Sequence, residues 1–314
     1  MKKIVASLVA AAALCASPAF AADMIPLKAR PAPAPTSPWD IAFGAALMSD
    51  YNFRGISQSD RGPSVTAYTE LRYNVNSNFQ LYAGSQYYAV DLPTHPSCEC
   101  DFYGGARPTI GMFAFDFGAI YYYYPRERQV FLTGAGAATF VNTGAIWTLA
   151  NTDFWEVYGK VSVDVVKDKF AVGGNVYYSP SWLHSGADGT FASATAKVTM
   201  PSFNMPLFGT MKEIGWYVSG EFGHYWLGTS DPILGSINFP DYSTWNVGVA
   251  FTNSVFTVDL RYYDTDMTKQ ECFLNTGDLR GLTGGSNPGG QSKWCNPTFI
   301  VATKFDLTAS KDLK

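Results

Sequence analysis

Beyond its first two dozen residues the chain has no apolar run approaching the roughly 18 residues that a membrane-spanning helix needs, and its mean hydropathy is −0.03. A helical membrane protein is excluded by that lack. Charge is sparse as well: 15% of residues are charged, with 22 basic against 26 acidic side chains and a net charge of −4. Without a basic field to gather phosphates, nucleic acid is not an expected partner. Histidine is limited to His95, His184 and His224. Phosphate-binding loops are missing too. Gly134 and Gly136 in GAGAAT lack a third glycine and a following helix, and GGSNPGGQSK at 284–293 lacks the terminal GK[ST].

What the chain does have begins at its N-terminus. Lys2 and Lys3 precede an apolar stretch from Ile4 to Leu14, and Ala19-Phe20-Ala21 completes a small-residue cleavage pattern. Residues 1–21 therefore read as a secretory signal peptide, too short in its apolar part to anchor the chain comfortably. Its removal takes two lysines and no acid, moving the net charge to −6. Residues 22–38, ADMIPLKARPAPAPTSP, alternate proline with alanine and read as an extended periplasmic leader. Four cysteines remain, an even number in an exported chain, which favours disulfides. Cys272 with Cys295 is the expected bridge, closing a glycine-rich loop. Cys98 and Cys100 are so near in sequence that a bond between them is expected to be strained, which leaves pairing between loops open. A metal site using His95 is weakly supported, because C-x-C stands without a second C-x-x-C or a histidine pair.

Aromatics make up 16% of the chain and glycine is abundant, a mixture that favours strands. From Trp39 the pattern has period two. Trp39, Ile41, Phe43, Ala45 and Leu47 share one face and Asp40, Ala42, Gly44, Ala46 and Met48 the other, and continued parity carries Tyr51 and Phe53 onto the apolar face. At about 3.3 Å per residue and a tilt near 40°, Trp39 to Tyr51 would rise roughly 30 Å, close to the ~25 Å apolar band between the aromatic girdles of outer-membrane barrels. Comparable alternation recurs along the chain. It predicts about twelve strands, near 39–54, 64–74, 79–90, 101–112, 115–124, 153–164, 170–180, 190–200, 213–225, 242–252, 254–264 and 297–307. Their connections are mostly short at one end and long at the other, as short periplasmic turns and long extracellular loops require. The reading is an all-β, antiparallel, up-and-down transmembrane barrel over 39–307, with a tail at 308–314. A soluble sandwich would not alternate its loop lengths in this way. Residues 129–152, uncharged and rich in Gly, Ala and Thr, either narrow the lumen or add a hairpin and raise the count to fourteen.

The stretch SDYNFRGISQS at 49–59 resembles the N-terminal signature of the TorF family of porins. IYYYYPRE at 120–127, FWEVYGKVSV at 154–163, YSTWNVGVAFT at 242–252 and LRYYDTDM at 260–267 resemble further segments of that family in the same order. The resemblance implies an outer-membrane barrel and transport through it, with no particular substrate. The proline-rich leader, the long 125–152 loop, the cysteine-closed 265–296 insertion and an ending in TASKDLK without a terminal aromatic all depart from the family.

By parity the inward face carries Asp50, Arg54, Glu70, Arg72, Gln80, Gln86, Arg107, Glu156, Lys160, Glu221, Asp259, Arg261 and Lys304. Charges of both signs are costly toward lipid, but in a wet lumen they are solvated and bias which ions pass. The same groups could instead pair across neighbouring strands and fill a narrow barrel. The expectation is a non-enzymatic channel in the outer membrane of a Gram-negative bacterium, passing small hydrophilic solutes passively and needing no cofactor. Its expected partners are outer-membrane lipids, those solutes and the barrel-assembly machinery. A closed structural or adhesive barrel acting through its loops is the alternative. A surface hydrolase built on His184 with Ser181 or Ser185, or on His224 with Asp231, is a third, for which no orienting third group or nucleophile motif is present.

Overall fold

The computed structural model describes residues 37–133, 137–139, 145–207, 210–281 and 290–313. The signal peptide at 1–21, all but the last two leader residues, Gly134, Gly136 and most of the glycine-rich 284–293 stretch lie outside these residues.

Twelve antiparallel strands close into one barrel: β1 (Trp39–Met48), β2 (Ser64–Asn76), β3 (Phe79–Tyr88), β4 (Glu99–Ile110), β5 (Phe113–Tyr123), β6 (Phe154–Val166), β7 (Phe170–Ser179), β8 (Gly189–Leu207), β9 (Thr210–Leu227), β10 (Tyr242–Asn253), β11 (Phe256–Thr265) and β12 (Thr298–Thr308). Each strand pairs with the next, and β1 closes the wall against β12 from Ala42↔Thr308 to Met48↔Ala302. Closure satisfies every edge, which is what a sheet in hydrocarbon requires.

The period-two pattern sorts the side chains as expected. In β2, Ser64, Thr66, Tyr68, Glu70 and Arg72 are buried while Val65, Ala67, Thr69 and Leu71 are exposed. Exposed Val157, Val176, Val247, Leu260 and Val301 on other strands continue the apolar exterior. Aromatic side chains rim it at both ends. Trp39 packs on Tyr73, ring centroids 4.8 Å apart, at the short-turn end. Tyr121, Tyr123, Trp155, Tyr178 and Trp226 are exposed at the long-loop end. These are the two girdles of an outer-membrane barrel, and the long-loop end is the extracellular one.

Two features depart from the sequence-based expectation, at the first strand and at β8–β9, and the strand count falls on the expected twelve. The first strand ends at Met48 and does not run to residue 54. Tyr51 is buried, 3% exposed, and belongs to no girdle. Residues 130–133, 137–139 and 145–148 form a separate three-stranded sheet, so the barrel has twelve strands and not fourteen. From this region Trp147 reaches the extracellular loop after β11, donating Nε1–H to the Gly277 carbonyl at 3.2 Å and packing on Phe273. At the periplasmic end β8 and β9 continue to Leu207 and from Thr210, where a loop was expected over 201–212. Their pairing outruns that of their neighbours, since β7 leaves β8 at Val198 and β10 leaves β9 at Gly215. The tail after β12 forms a short helix, α2 (Ala309–Asp312), with Ser310 bonded to Asp40.

Candidate functional site in the barrel lumen

Past Met48 the chain turns into the barrel instead of continuing its wall. Asn52–Phe53 pairs with Ile56–Ser57 in a tight hairpin whose two turn residues, Arg54 (φ 47°) and Gly55 (φ 88°), both have left-handed backbone. That is the signature of a two-residue type I′ turn, and glycine supplies the second position without a steric cost. The Asn52 side chain accepts from Gly55 N–H at 2.9 Å. A Cβ at Gly55 would run into Thr244 and Thr265, so the tip of the hairpin is pressed against β10 and β11.

Arg54 is held there by both charge and aromatic faces. Its Nη1 and Nη2 donate to Glu156 Oε1 and Oε2, each at 2.8 Å, with both side chains sealed from solvent. The guanidinium carbon lies 4.6–4.9 Å from the ring centres of Phe53, Tyr177, Phe191 and Tyr225. Tyr122 donates to Glu156 Oε2 at 3.0 Å. A planar fork on a carboxylate, desolvated among ring faces, is the arrangement in which arginine is strongest and its removal most costly.

The base of the hairpin is tied down from above. Asp50 accepts from Ser57 Oγ at 2.6 Å and Ser59 Oγ at 3.0 Å. Burial raises the Asp50 carboxyl above its ordinary value against the opposing pull of these bonds and of Arg61. Arg61 donates to the carbonyls of Lys293 and Asn296, Ser57 N–H to the Trp294 carbonyl at 3.0 Å, and Trp294 Nε1–H to Asp60 at 2.7 Å. These partners lie beside the Cys272–Cys295 bridge, which anchors helix α1 (Lys269–Thr276) to the segment entering β12. The other two cysteines bond to each other, Cys98 to Cys100 with Cα atoms 5.8 Å apart, and no bridge joins two loops through them.

Below the hairpin the inward charges gather into clusters. Glu70 lies between Arg72, 2.5 Å away, and Arg107, whose two terminal nitrogens bind its oxygens at 2.8 and 2.9 Å. Arg107 also reaches Asp116 at 3.2 Å and Gln80 at 3.2 Å. On the opposite wall Arg261 joins Asp259, Asn246 and Ser219. Glu221 receives Asn246 and, more distantly, Asn175, while Gln86 donates to Tyr88. Lys160 lies over Tyr158 and Tyr177, and Lys304 faces a second space near Arg261. Eight of the thirteen residues anticipated from parity are thus brought together as Glu70–Arg72–Gln80–Arg107, as Asp259–Arg261 and as Arg54–Glu156, while Asp50, Gln86, Lys160, Glu221 and Lys304 stand outside these groups. Asp50 and Arg54 reach the lumen on an inserted segment, not on the wall.

Two internal spaces result. One, of about 660 Å³ counting the solvent it opens to, is bounded by the Glu70–Arg107–Asp116 cluster, Lys160, Asp101 and a set of tyrosines. The other, of about 530 Å³ on the same count, is bounded by Asp50, Asn52, Asp259, Arg261 and Lys304. Tyr51 and Tyr88 line both, stacked with centroids 4.1 Å apart. The parity list omitted Asp116, although FAFDFGAI places it inward by the rule that found Arg107. It also omitted Glu99 and Asp101, at the mouth of β4, and every inward tyrosine. Tyr82, bonded at 2.5 Å to both Asp116 and Tyr158, is among the most connected. Tyr158 in turn occupies room that only glycine at 118 leaves free. Among the described residues, His224 on β9 meets Ser243 Oγ through Nδ1 at 3.0 Å and not Asp231, and His184 has a backbone bond to Ser181. Among the described residues no cluster of three His, Cys, Asp or Glu side chains could hold a metal ion.

A family model described as a bacterial protein of unknown function, Gcw_chp, matches residues 32–281. The chain belongs to the Gcw_chp family. No curated protein matches it. Solved structures similar to this family member include the COG4313 outer membrane channel from Pseudomonas putida F1, 10% identical over 88% of this chain and 97% of that one, with a TM-score of 0.40. The KdgM porin in complex with disordered oligogalacturonate is 8% identical over 85% and 98%, at 0.39. LpxR from Salmonella typhimurium is 8% identical over 85% and 99%, at 0.38. At such scores the likeness says nothing of what this Gcw_chp protein does. Its closed wall, apolar outside and charged within, is that of an outer-membrane β-barrel.

Proposed function

We propose that the protein is an outer-membrane channel for small hydrophilic solutes whose conduit is throttled by the 49–63 segment. The observation carrying this reading is the pair of internal spaces, each lined by charges of both signs, with the stacked Tyr51 and Tyr88 and residues of the 49–63 segment lining both. A barrel serving purely as a scaffold has no need of inward charges kept near open volume, whereas a selective conduit does. The TorF-like motifs support the same reading, because the most family-like of them, SDYNFRGISQS, is the throttle itself. Solutes, outer-membrane lipids and the barrel-assembly machinery are its proposed partners, and no covalent step is involved.

The second reading, a closed barrel acting through its loops, is favoured by the sealed Arg54–Glu156 pair and the ring cluster around it. Single-channel recording in planar bilayers separates the two. The channel reading expects small, infrequent openings from the intact protein and a much larger steady conductance when residues 52–57 are replaced by a short glycine-serine link. Silence from both proteins, with the barrel folded, would hand the question to the closed barrel.

A further inference from the structure

Asp101, on β4, is the lumen's anomaly. Its side chain is buried, its residue 3% exposed, and its Oδ1 has no hydrogen-bond partner among the described residues. Its charged neighbours are the carboxylates of Glu99 and Glu156, so nothing nearby compensates it. Glu156 is already matched by Arg54, and the Glu99 oxygens are taken by the hydroxyls of Tyr51 at 2.5 Å and Tyr124 at 2.8 Å. The cations that share the 660 Å³ space are engaged elsewhere, Arg107 with Glu70 and Asp116, Lys160 over the rings of Tyr158 and Tyr177. A carboxylate left unpaired in such a place is expensive, a cost relieved either by holding its proton or by a cation from outside the chain. Tyr103, lining the same space, likewise has a buried hydroxyl with no partner.

Aromatic faces surround this pair of unsatisfied groups. Tyr51, Tyr88 and Tyr122 border the space. A carboxylate and a hydroxyl that can receive N–H groups, beside ring faces that favour positive charge, describe the complement of an amine rather than of a bare metal ion. We propose that this chamber binds a small organic ammonium, its N–H groups received by Asp101 and Tyr103 and its charge faced by the tyrosine rings. The proposal supplies a solute class for the channel proposed above and rests on that reading only for how the solute arrives.

The test is calorimetric titration of the full-length protein, folded in detergent, with ethylammonium chloride, using sodium chloride and neutral ethanol as controls. Ethylammonium is expected to bind saturably and the controls not to. Asp101→Asn should weaken binding at least tenfold, and Tyr103→Phe a few-fold, with both variants retaining the folded barrel's gel mobility. Absent ethylammonium binding, or equal binding by Asp101→Asn, overturns the proposal. If Asp101→Asn does not fold, Tyr103→Phe decides, and an unchanged affinity overturns it. Infrared spectroscopy adds an independent reading: a protonated carboxyl band that is lost in Asp101→Asn and untouched by ethylammonium would mean that the group is neutral and the site false. Binding without conductance removes the channel and leaves this site, whereas conductance without binding does the reverse.

Discussion

Residues 39–48 and residues 49–57 read alike and fold apart. Both alternate at period two in part, with Trp39, Ile41, Phe43 and Leu47 of the first and Tyr51 and Phe53 of the second at odd positions. Yet β1 stands in the wall, its odd side chains in hydrocarbon, while Tyr51 and Phe53 lie within the barrel against Tyr88 and Tyr122. Alternation reports that a segment has two unlike faces. It does not report what those faces meet. In the wall one solvent is lipid and the other the lumen; in the inserted hairpin both faces meet protein, one through rings and one through charge. The wall strand ends at Met48, and the Arg54–Gly55 pair then turns the inserted segment back on itself.

The comparison breaks most sharply at Arg54. Arg54→Ala leaves Glu156 sealed without its guanidinium partner, and should destabilise the seated hairpin by about 3–5 kcal/mol. Limited proteolysis within 49–63 and bilayer conductance should both rise. Replacing both charges, Arg54→Met with Glu156→Leu, should restore most of the protection, since a buried pair is often replaceable by apolar groups though not by half of itself. A rise in proteolysis as large in the double variant as in Arg54→Ala would show that the seat depends on shape and not on charge. On the wall the corresponding break is Val247→Arg, an outward residue in the middle of β10, half exposed where lipid belongs. It should cost about 2–4 kcal/mol in urea unfolding, with no gain in conductance. A conductance gain there would mean that the wall and the plug are not energetically separate.

Most of the wall was legible because its physics is local. A strand bounded by two solvents must alternate, so the strand number, the closing order of neighbours and the inward placement of Glu70, Arg72, Arg107, Glu156 and Arg261 follow from parity alone. Partnership is not local. Nothing in sequence brings Arg54 to Glu156, a hundred residues away, or marks Asp101 as the carboxylate left over. The inward tyrosines escaped for a related reason: tyrosine is read as a girdle residue, and only the three-dimensional room left by glycines such as Gly118 lets it turn inward. For the Cys98–Cys100 bridge, proximity in sequence counted against a bond that the backbone at the mouth of β4 permits.

The turn itself offers a gentler perturbation. Gly55→Ala asks a side chain to adopt φ 88° and to intrude on Thr244 and Thr265. The handedness and the overpacking together should cost about 1–3 kcal/mol, felt by the hairpin and not by the wall. Proteolysis within 49–63 should increase while the unfolding midpoint of the barrel stays close to that of the parent. A lowered barrel midpoint with unchanged proteolysis would place the strain in the wall instead.

The smallest effect expected lies in the extracellular loop 124–153, where a partly buried carboxylate has hydroxyl and amide partners and, among the described residues, no cation. Glu127 accepts from Thr152 N–H at 2.6 Å, Thr152 Oγ at 2.6 Å and Thr94 Oγ at 2.5 Å. Burial outweighs these bonds and raises its carboxyl above the ordinary value of 4.5. An acid whose folded value is raised holds its proton more tightly in the closed loop than in the open one. The closed loop is therefore favoured most below the ordinary glutamate value and loses that preference as pH climbs through the raised one. Hydrogen exchange at the Thr152 amide, corrected for the intrinsic rate, should show protection falling as pH rises through this window, and Glu127→Gln should abolish the dependence. Protection that instead grew with pH would mean that the ionised carboxylate is the better partner for Thr94 and Thr152, as a paired carboxylate such as Glu156 is for Arg54.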